Sequence, residues 1–208
     1  MANESIRVGR LLRSGIQGFD AGFSSFQNPI PEFGALLRAE IEAGFDVYGI
    51  IHNINVEDDG LVRQMVTTEE LDPRTVADNR ANRNVPMEIG VLSVGYQKDG
   101  AIKHLLPPQI PLSMTTIFLC GPEEVCAFTG AGRFGYLRHI LRNNDLPVSE
   151  IIAAHIEQAG GAHRAAGNTN WEQEAIDNLI SSLRDDYPTL MMVMDALSDI
   201  FPGVKVEE

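Results

Sequence analysis

The chain has 208 residues, 44% hydrophobic and 22% charged, the balance of an ordinary folded protein with enough length for a real apolar core in one large domain or two small ones. Its 16 Lys and Arg against 29 Asp and Glu leave a net charge of −13, spread along the chain rather than gathered in a tail. That excess disfavours direct binding to nucleic acid, which depends on clustered Lys and Arg displacing counterions, and is read as serving solubility.

Strand patterning fills the first part. IRVGRLLR (6–13) and GFDAGFSSF (18–26) read as short strands parted by the turn SGIQG. In NPIPEFG, Pro29 and Pro31 resist helix and Gly34 opens the next run. ALLRAEI (35–41) and FDVYGIIHNINV (45–56) follow as strands around the tight connection EAG. Gly49 interrupts the alternation of the second and predicts a bulge or bend, of the kind that lets a small barrel close. LVRQMV (61–66) reads as a fifth strand, and residues 68–86 as a polar, partly helical insertion between Pro73 and Pro86. MEIGVLSVGYQ (87–97) and AIKHLL (101–106) are strands joined by the hairpin signal KDG, and PPQIPLS leads into the strand MTTIFLC (114–120).

From Pro122 the pattern turns helical. PEEVCAFT reads as a short helix or a linker, and YLRHILRN places Leu137, Ile140 and Leu141 on one face. DLPVSEIIAAHIEQAGG has Asp145 as a cap, Pro147 in the first turn and Gly160–Gly161 as a stop, with GGAHRAAGN as a mobile connection. Thr169 and Glu172 spell a capping box ahead of the stripe Ile176, Leu179, Ile180 and Leu183. Pro188 either kinks that helix or starts another, TLMMVMDALSDIF, ending at Pro202–Gly203. The expected fold is therefore α+β: a small closed β-barrel of six to seven strands over 1–121, a helical region over 122–203 and a tail over 204–208.

Taken together, VGRLLRSG, GFDAGFSSF, PEFGALLRAEI and FDVYGIIHNI resemble the HAS-barrel family, with Gly9, Phe19, Phe23, Gly34 and Tyr48-Gly49-Ile50 carrying the likeness. LLPPQIPLSMTTIFLCGPEEV is similar to the proline-rich exit from such barrels, so the resemblance covers about the first 125 residues. The family's barrel is shared by HerA-type DNA-translocating ATPases and the catalytic subunits of F-type ATP synthases, where it precedes an ATPase domain. No G-x-x-x-x-G-K-[ST] occurs here, so the resemblance implies a stand-alone barrel kept for assembly or docking and carries no ATP hydrolysis across.

The chemistry-bearing motifs are few. Gly130, Gly132 and Gly135 spell G-x-G-x-x-G, and a helix follows them, but no strand runs into them and Glu150 lies in a predicted helix rather than at a strand end. Helix-joining glycines are the favoured reading. Arg133, Arg138 and His139 are the candidate anion-site residues, and Arg138, His139 and Arg142 form one small basic patch. The five histidines include no H-E-x-x-H or other metal spacing, Cys120 and Cys126 read as idle thiols, and no G-x-S-x-G elbow is present. His155 and His163 flank the predicted glycine turn and could approach one another, though a surface or packing role is the commoner one. No catalytic residue, metal or cofactor is assigned. No secretory signal or run of ~20 apolar residues is read, which points to a cytoplasmic protein with no membrane partner. The expected function is a non-catalytic assembly or docking module that self-associates or partners a HerA-type ATPase or DNA-processing complex. The competing expectation is a small anionic ligand, a nucleotide among them, or a reaction, held in a pocket between barrel and helices.

Overall fold

Alternating apolar positions close the first half of the chain on itself in the computed structural model, which describes residues 6–24, 31–56, 74 and 86–201. The strands are β1 (Ile6–Ser14), β2 (Gly18–Ser24), β3 (Leu36–Glu42), β4 (Phe45–Val56), β5 (Pro86–Lys98), β6 (Ala101–Lys103) and β7 (Thr116–Leu119). They run in the order β2-β1-β7-β3-β4-β5, and β2 pairs with β5 to complete a closed antiparallel barrel of six strands, with β6 added beside β5. Closure leaves the six strands without a free edge. The expected barrel is thus present, as is the bulge: the β4–β5 register shifts between Tyr48 and Gly49 and again between Ile51 and Asn53. The expected strand at 61–66 and the insertion at 68–85 lie outside the described residues, apart from Arg74, which is helical. Pro86, read as the end of that insertion, is the first residue of β5.

The bulges decide which residues face which core. Val8, Leu11, Phe19, Phe23, Leu37, Phe45, Val47, Ile51, Val91 and Ile117 fill the barrel. Leu36, Tyr48, Ile50, Leu92, Val94 and Cys120 join a second core shared with the helices. The barrel wall is therefore apolar on both faces where the helices cover it, which is why Ala35-Leu36-Leu37 and Ile50-Ile51 read as unbroken apolar runs.

The helices are α1 (Pro122–Thr129), α2 (Leu137–Leu141), α3 (Val148–Ala165), α4 (Trp171–Leu183) and α5 (Tyr187–Ile200), with a 3₁₀ turn at Gly132–Phe134. Buried α3 is the centre of this layer and packs on α1, α2, α4 and α5. Pro188 starts α5 rather than kinking α4, and Asp186 caps it by accepting from the Thr189 amide. Arg38 on β3 fastens α1 to the barrel: its Nε donates to Glu124 at 2.7 Å and its Nη1 to Asp46 at 3.1 Å. The guanidinium also sits 4.7 Å from the centre of the Phe118 ring.

Three expected helix boundaries are corrected. Helix α3 runs through Gly160–Gly161 to Ala165, because buried Ala159 and His163 gain more from packing than two glycines cost a helix. Gly160 also leaves room for Glu172, which pairs with Arg164. Most of GGAHRAAGN is thus helix, not a mobile connection. The N-cap of α4 is Asn170 without a side-chain bond, so Thr169 is no capping residue and Glu172 is taken by Arg164. Asp145 does not cap α3 either, since Pro147 occupies that position.

Candidate functional site

The segment between β6 and β7 carries Pro107, Pro108 and Pro111, which cannot donate to a ladder, so it lies alongside β1 without joining the sheet. Side chains and single backbone bonds hold it there. Ser14 Oγ donates to the Pro111 carbonyl at 2.6 Å, Ser113 Oγ to the Leu12 carbonyl at 3.1 Å, and the Met114 amide to the Leu11 carbonyl at 2.8 Å. This strap leaves large apolar side chains in water: Leu112 is 74% exposed, Met114 63% and Leu105 53%, with Leu106 and Leu12 also exposed. Met114 sits at φ +70°, the third position of a turn closed by the Thr115 amide on the Leu112 carbonyl. That left-handed conformation suits glycine or asparagine and costs a methionine roughly 1–2 kcal/mol. The Arg10 guanidinium steadies it through a 3.1 Å bond to the Met114 carbonyl.

Beside the start of the strap, between the β1–β2 turn and the end of α2, lies a cleft of about 530 Å³. Gln17, Ser93, Leu106, His139, Arg142, Asn143 and Asp145 are among its lining residues. It adjoins a second hollow of about 310 Å³ that shares Gln17, Leu92 and Asn143 and adds Arg13, Asp20 and His52. Ser93, in the middle of apolar β5, is 1% exposed, and its hydroxyl takes no hydrogen bond among the described residues. Arg142 is exposed and has no ion-pair partner among the described residues.

The anion candidates separate in space. Arg138 donates to the His104 carbonyl, and His139 Nε2–H donates to the same oxygen at 3.2 Å. Arg138 is therefore committed to the barrel–helix junction, whereas His139 also lines the cleft. Burial lowers the His139 pKa; the bond to the His104 carbonyl offsets part of this and Arg138 and Arg142 add to it, so the neutral ring is favoured. Arg133 lies elsewhere, in a hollow of about 530 Å³ with Trp171, Glu174 and Asp177, where two carboxylates oppose its charge.

The glycine motif meets a histidine. Gly130 ends α1, so a helix and not a strand leads into it. Gly132 lies at φ +58° over the His104 ring, where a Cβ would come within 2.7 Å of Nδ1. Amides that would cradle a pyrophosphate are already used: Gly130 donates to the Cys126 carbonyl at 2.9 Å and Gly135 to the Gly132 carbonyl at 3.1 Å. His104 itself donates from Nε2 to the Phe128 carbonyl at 2.9 Å.

His155 and His163 lie on one helix and both are buried, with separate partners. His155 Nδ1–H donates to the Gly34 carbonyl at 2.9 Å, so Nε2 accepts from the Tyr136 hydroxyl at 3.2 Å. Complete burial brings its pKa down to about 4. Thr129 gives its proton to the Val125 carbonyl at 2.7 Å and accepts from His163 Nε2 at 2.8 Å, while the His163 ring stacks on Trp171 at 4.4 Å. Cys120 is buried and burial pushes its thiol pKa well up, which leaves it a poor nucleophile at neutral pH. Among the described residues no three His, Cys, Asp or Glu side chains gather as a metal site, and no helix is long and apolar enough to cross a membrane.

Sequence reasoning passed over Ser93 and Met114. The signal for Ser93 was present: one polar residue between Leu92 and Val94 in a strand otherwise written for burial. No family model matches the chain, and no curated protein does.

Proposed function

We propose that the protein is a non-catalytic docking module whose strap, Leu105 to Met114, is the contact surface. The observation that carries this reading is Met114: an exposed apolar side chain held in a costly backbone conformation by three neighbouring hydrogen bonds. Strain kept at the surface needs a use, and a rigid cluster of exposed Leu and Met is a common sign of a protein contact. The resemblance of the sequence of about the first 125 residues to the HAS-barrel family extends the reading to the partner: a second copy of this chain or a HerA-type ATPase. Light scattering after size exclusion, with capture by a purified HerA-type ATPase as the second arm, tests it. The wild-type chain should self-associate or be captured, and Leu112→Ser with Met114→Asn should abolish whichever contact is found. A monomer with no affinity for the ATPase would sink the proposal.

A second reading, a small anionic ligand held between barrel and helices, is favoured by the buried, unpartnered Ser93 hydroxyl in a cleft that also holds Arg142. It accounts for polar groups that a purely apolar contact leaves unused.

A further inference from the structure

The cleft between the β1–β2 turn and α2 offers one full positive charge and several neutral hydrogen-bonding groups. We infer that it binds a small hydroxycarboxylate, with Arg142 taking the carboxylate and Ser93, His139 and Asn143 serving the hydroxyl. The inference rests on the anionic-ligand reading of the same cleft and narrows it to one chemical class.

Ser93 supplies the first argument. A buried hydroxyl without a partner carries an uncompensated desolvation penalty, which disappears when a ligand oxygen arrives. The Ser93 amide is already satisfied by the Gln17 carbonyl at 2.9 Å, so the hydroxyl is the group left to offer. Charge supplies the second. Arg138 is spent on the His104 carbonyl, which leaves Arg142 as the cation lining this cleft. Asp145 lines it too, and in the adjoining hollow Asp20 is already paired with Arg13 at 2.5 Å. Such a balance suits one carboxylate and opposes a phosphate dianion or a nucleotide's di- or triphosphate. His139 supplies the third. Its Nε2–H is fixed on the His104 carbonyl, so Nδ1 keeps a lone pair and can accept from a ligand O–H, which a plain carboxylate lacks. A cleft of about 530 Å³ exceeds the size of a bare inorganic ion and suits a small metabolite.

Amide NMR of the full ¹⁵N-labelled chain, titrated separately with lactate, acetate and inorganic phosphate, tests this. Lactate should shift the Gln17, Ser93 and Asn143 amides saturably and bind several-fold tighter than acetate, with phosphate weaker than both. Arg142→Gln, at an exposed position, should weaken lactate about tenfold. Ser93→Ala should narrow the lactate–acetate gap, and Arg133→Gln, in a different hollow, should change neither. Equal affinity for lactate and acetate, or phosphate binding tightest, would overturn the hydroxycarboxylate class while leaving an anion site in place. No shift with any of the three, or full lactate affinity in Arg142→Gln, would remove the site and the ligand reading with it.

Discussion

Lowering the pH from about 7.5 to about 4.5 should loosen the join between barrel and helices, and His155 sets how strongly. Its imidazole is 1% exposed and bridges the Gly34 carbonyl, just ahead of β3, to the Tyr136 hydroxyl beside α2. Burial holds the folded pKa near 4 against the ordinary 6.5, and the Gly34 bond offsets only part of that. Because the folded pKa is depressed, the unfolded chain takes up a proton between pH 6.5 and about 4 that the folded chain refuses. Stability is therefore full above pH 6.5 and drains away as the pH falls toward 4. A gap of about 2.5 units at about 1.4 kcal/mol per unit gives a full loss of ~3.5 kcal/mol from this one residue below about pH 4, most of it already reached by about pH 4.5. That is a large share of the ~5–15 kcal/mol by which domains are usually stable. His52, His104, His139 and His163 are also depressed, chiefly by burial, and push in the same direction.

Urea midpoints measured at half-unit steps of pH would trace this curve, with histidine-ring NMR reporting the tautomer and titration of His155 directly. His155→Asn keeps a donor for the Gly34 carbonyl and removes the titrating ring. It should be less stable at pH 7.5, since the Tyr136 hydroxyl loses its acceptor, yet show a shallower fall on acidification than the wild type. A wild-type stability that stays level from pH 6.5 to 4.5, or a His155 ring that titrates near 6.5, would refute the argument.

Gly34→Ala should cost at least ~2 kcal/mol in urea unfolding, because φ is +83° and the new Cβ would lie 2.8 Å from that of Ala154 and 2.9 Å from the His155 amide nitrogen; a cost under ~0.5 kcal/mol would mean α3 can give way there. Met114→Gly should leave the fold as stable or raise stability by about 1 kcal/mol, since it relieves a left-handed φ of +70° at an exposed site. The same denaturation experiment checks it, and a loss of stability would show that Met114 packs rather than waits for a partner.

The barrel was legible because its strands obey a period of two and its turns name themselves. Asp99 and Gly100, for instance, both take positive φ in the hairpin that the letters KDG announce. The glycine at position 49 announced the shift in register because it broke that period. The helices were legible by their stripes, but their ends were not. Gly160–Gly161 looks like a stop when only local cost is counted; α3 continues because Ala159, His163 and the approach of Glu172 are tertiary facts. Thr169 and Glu172 have the spacing of a capping box, and the ion pair with Arg164 claims the glutamate first. The candidate residues suffered from the same blindness. Arg133, Arg138 and His139 are neighbours in sequence, yet a left-handed turn at Gly132, Arg133 and Phe134 sends Arg133 to a different hollow from His139.

His104 connects these observations. It immediately precedes the strap, and its carbonyl accepts from both Arg138 and His139, so the helices hold the residue ahead of the strap as Arg10 and Ser14 hold its far end. Gly132 is a glycine because that ring lies under it, which gives the motif a packing reason where the spacing alone suggested a pyrophosphate. Leu106, two residues into the strap, also lines the cleft with His139 and Arg142. A ligand in the cleft and a partner on the strap would thus press on one short segment from two sides. Any difference that one makes to the segment's position must change the affinity for the other by the same factor, since coupling of this kind is reciprocal. The docking and ligand readings are for that reason complementary: the strained turn at Met114 and the unpartnered hydroxyl at Ser93 stand beside opposite ends of a single strap.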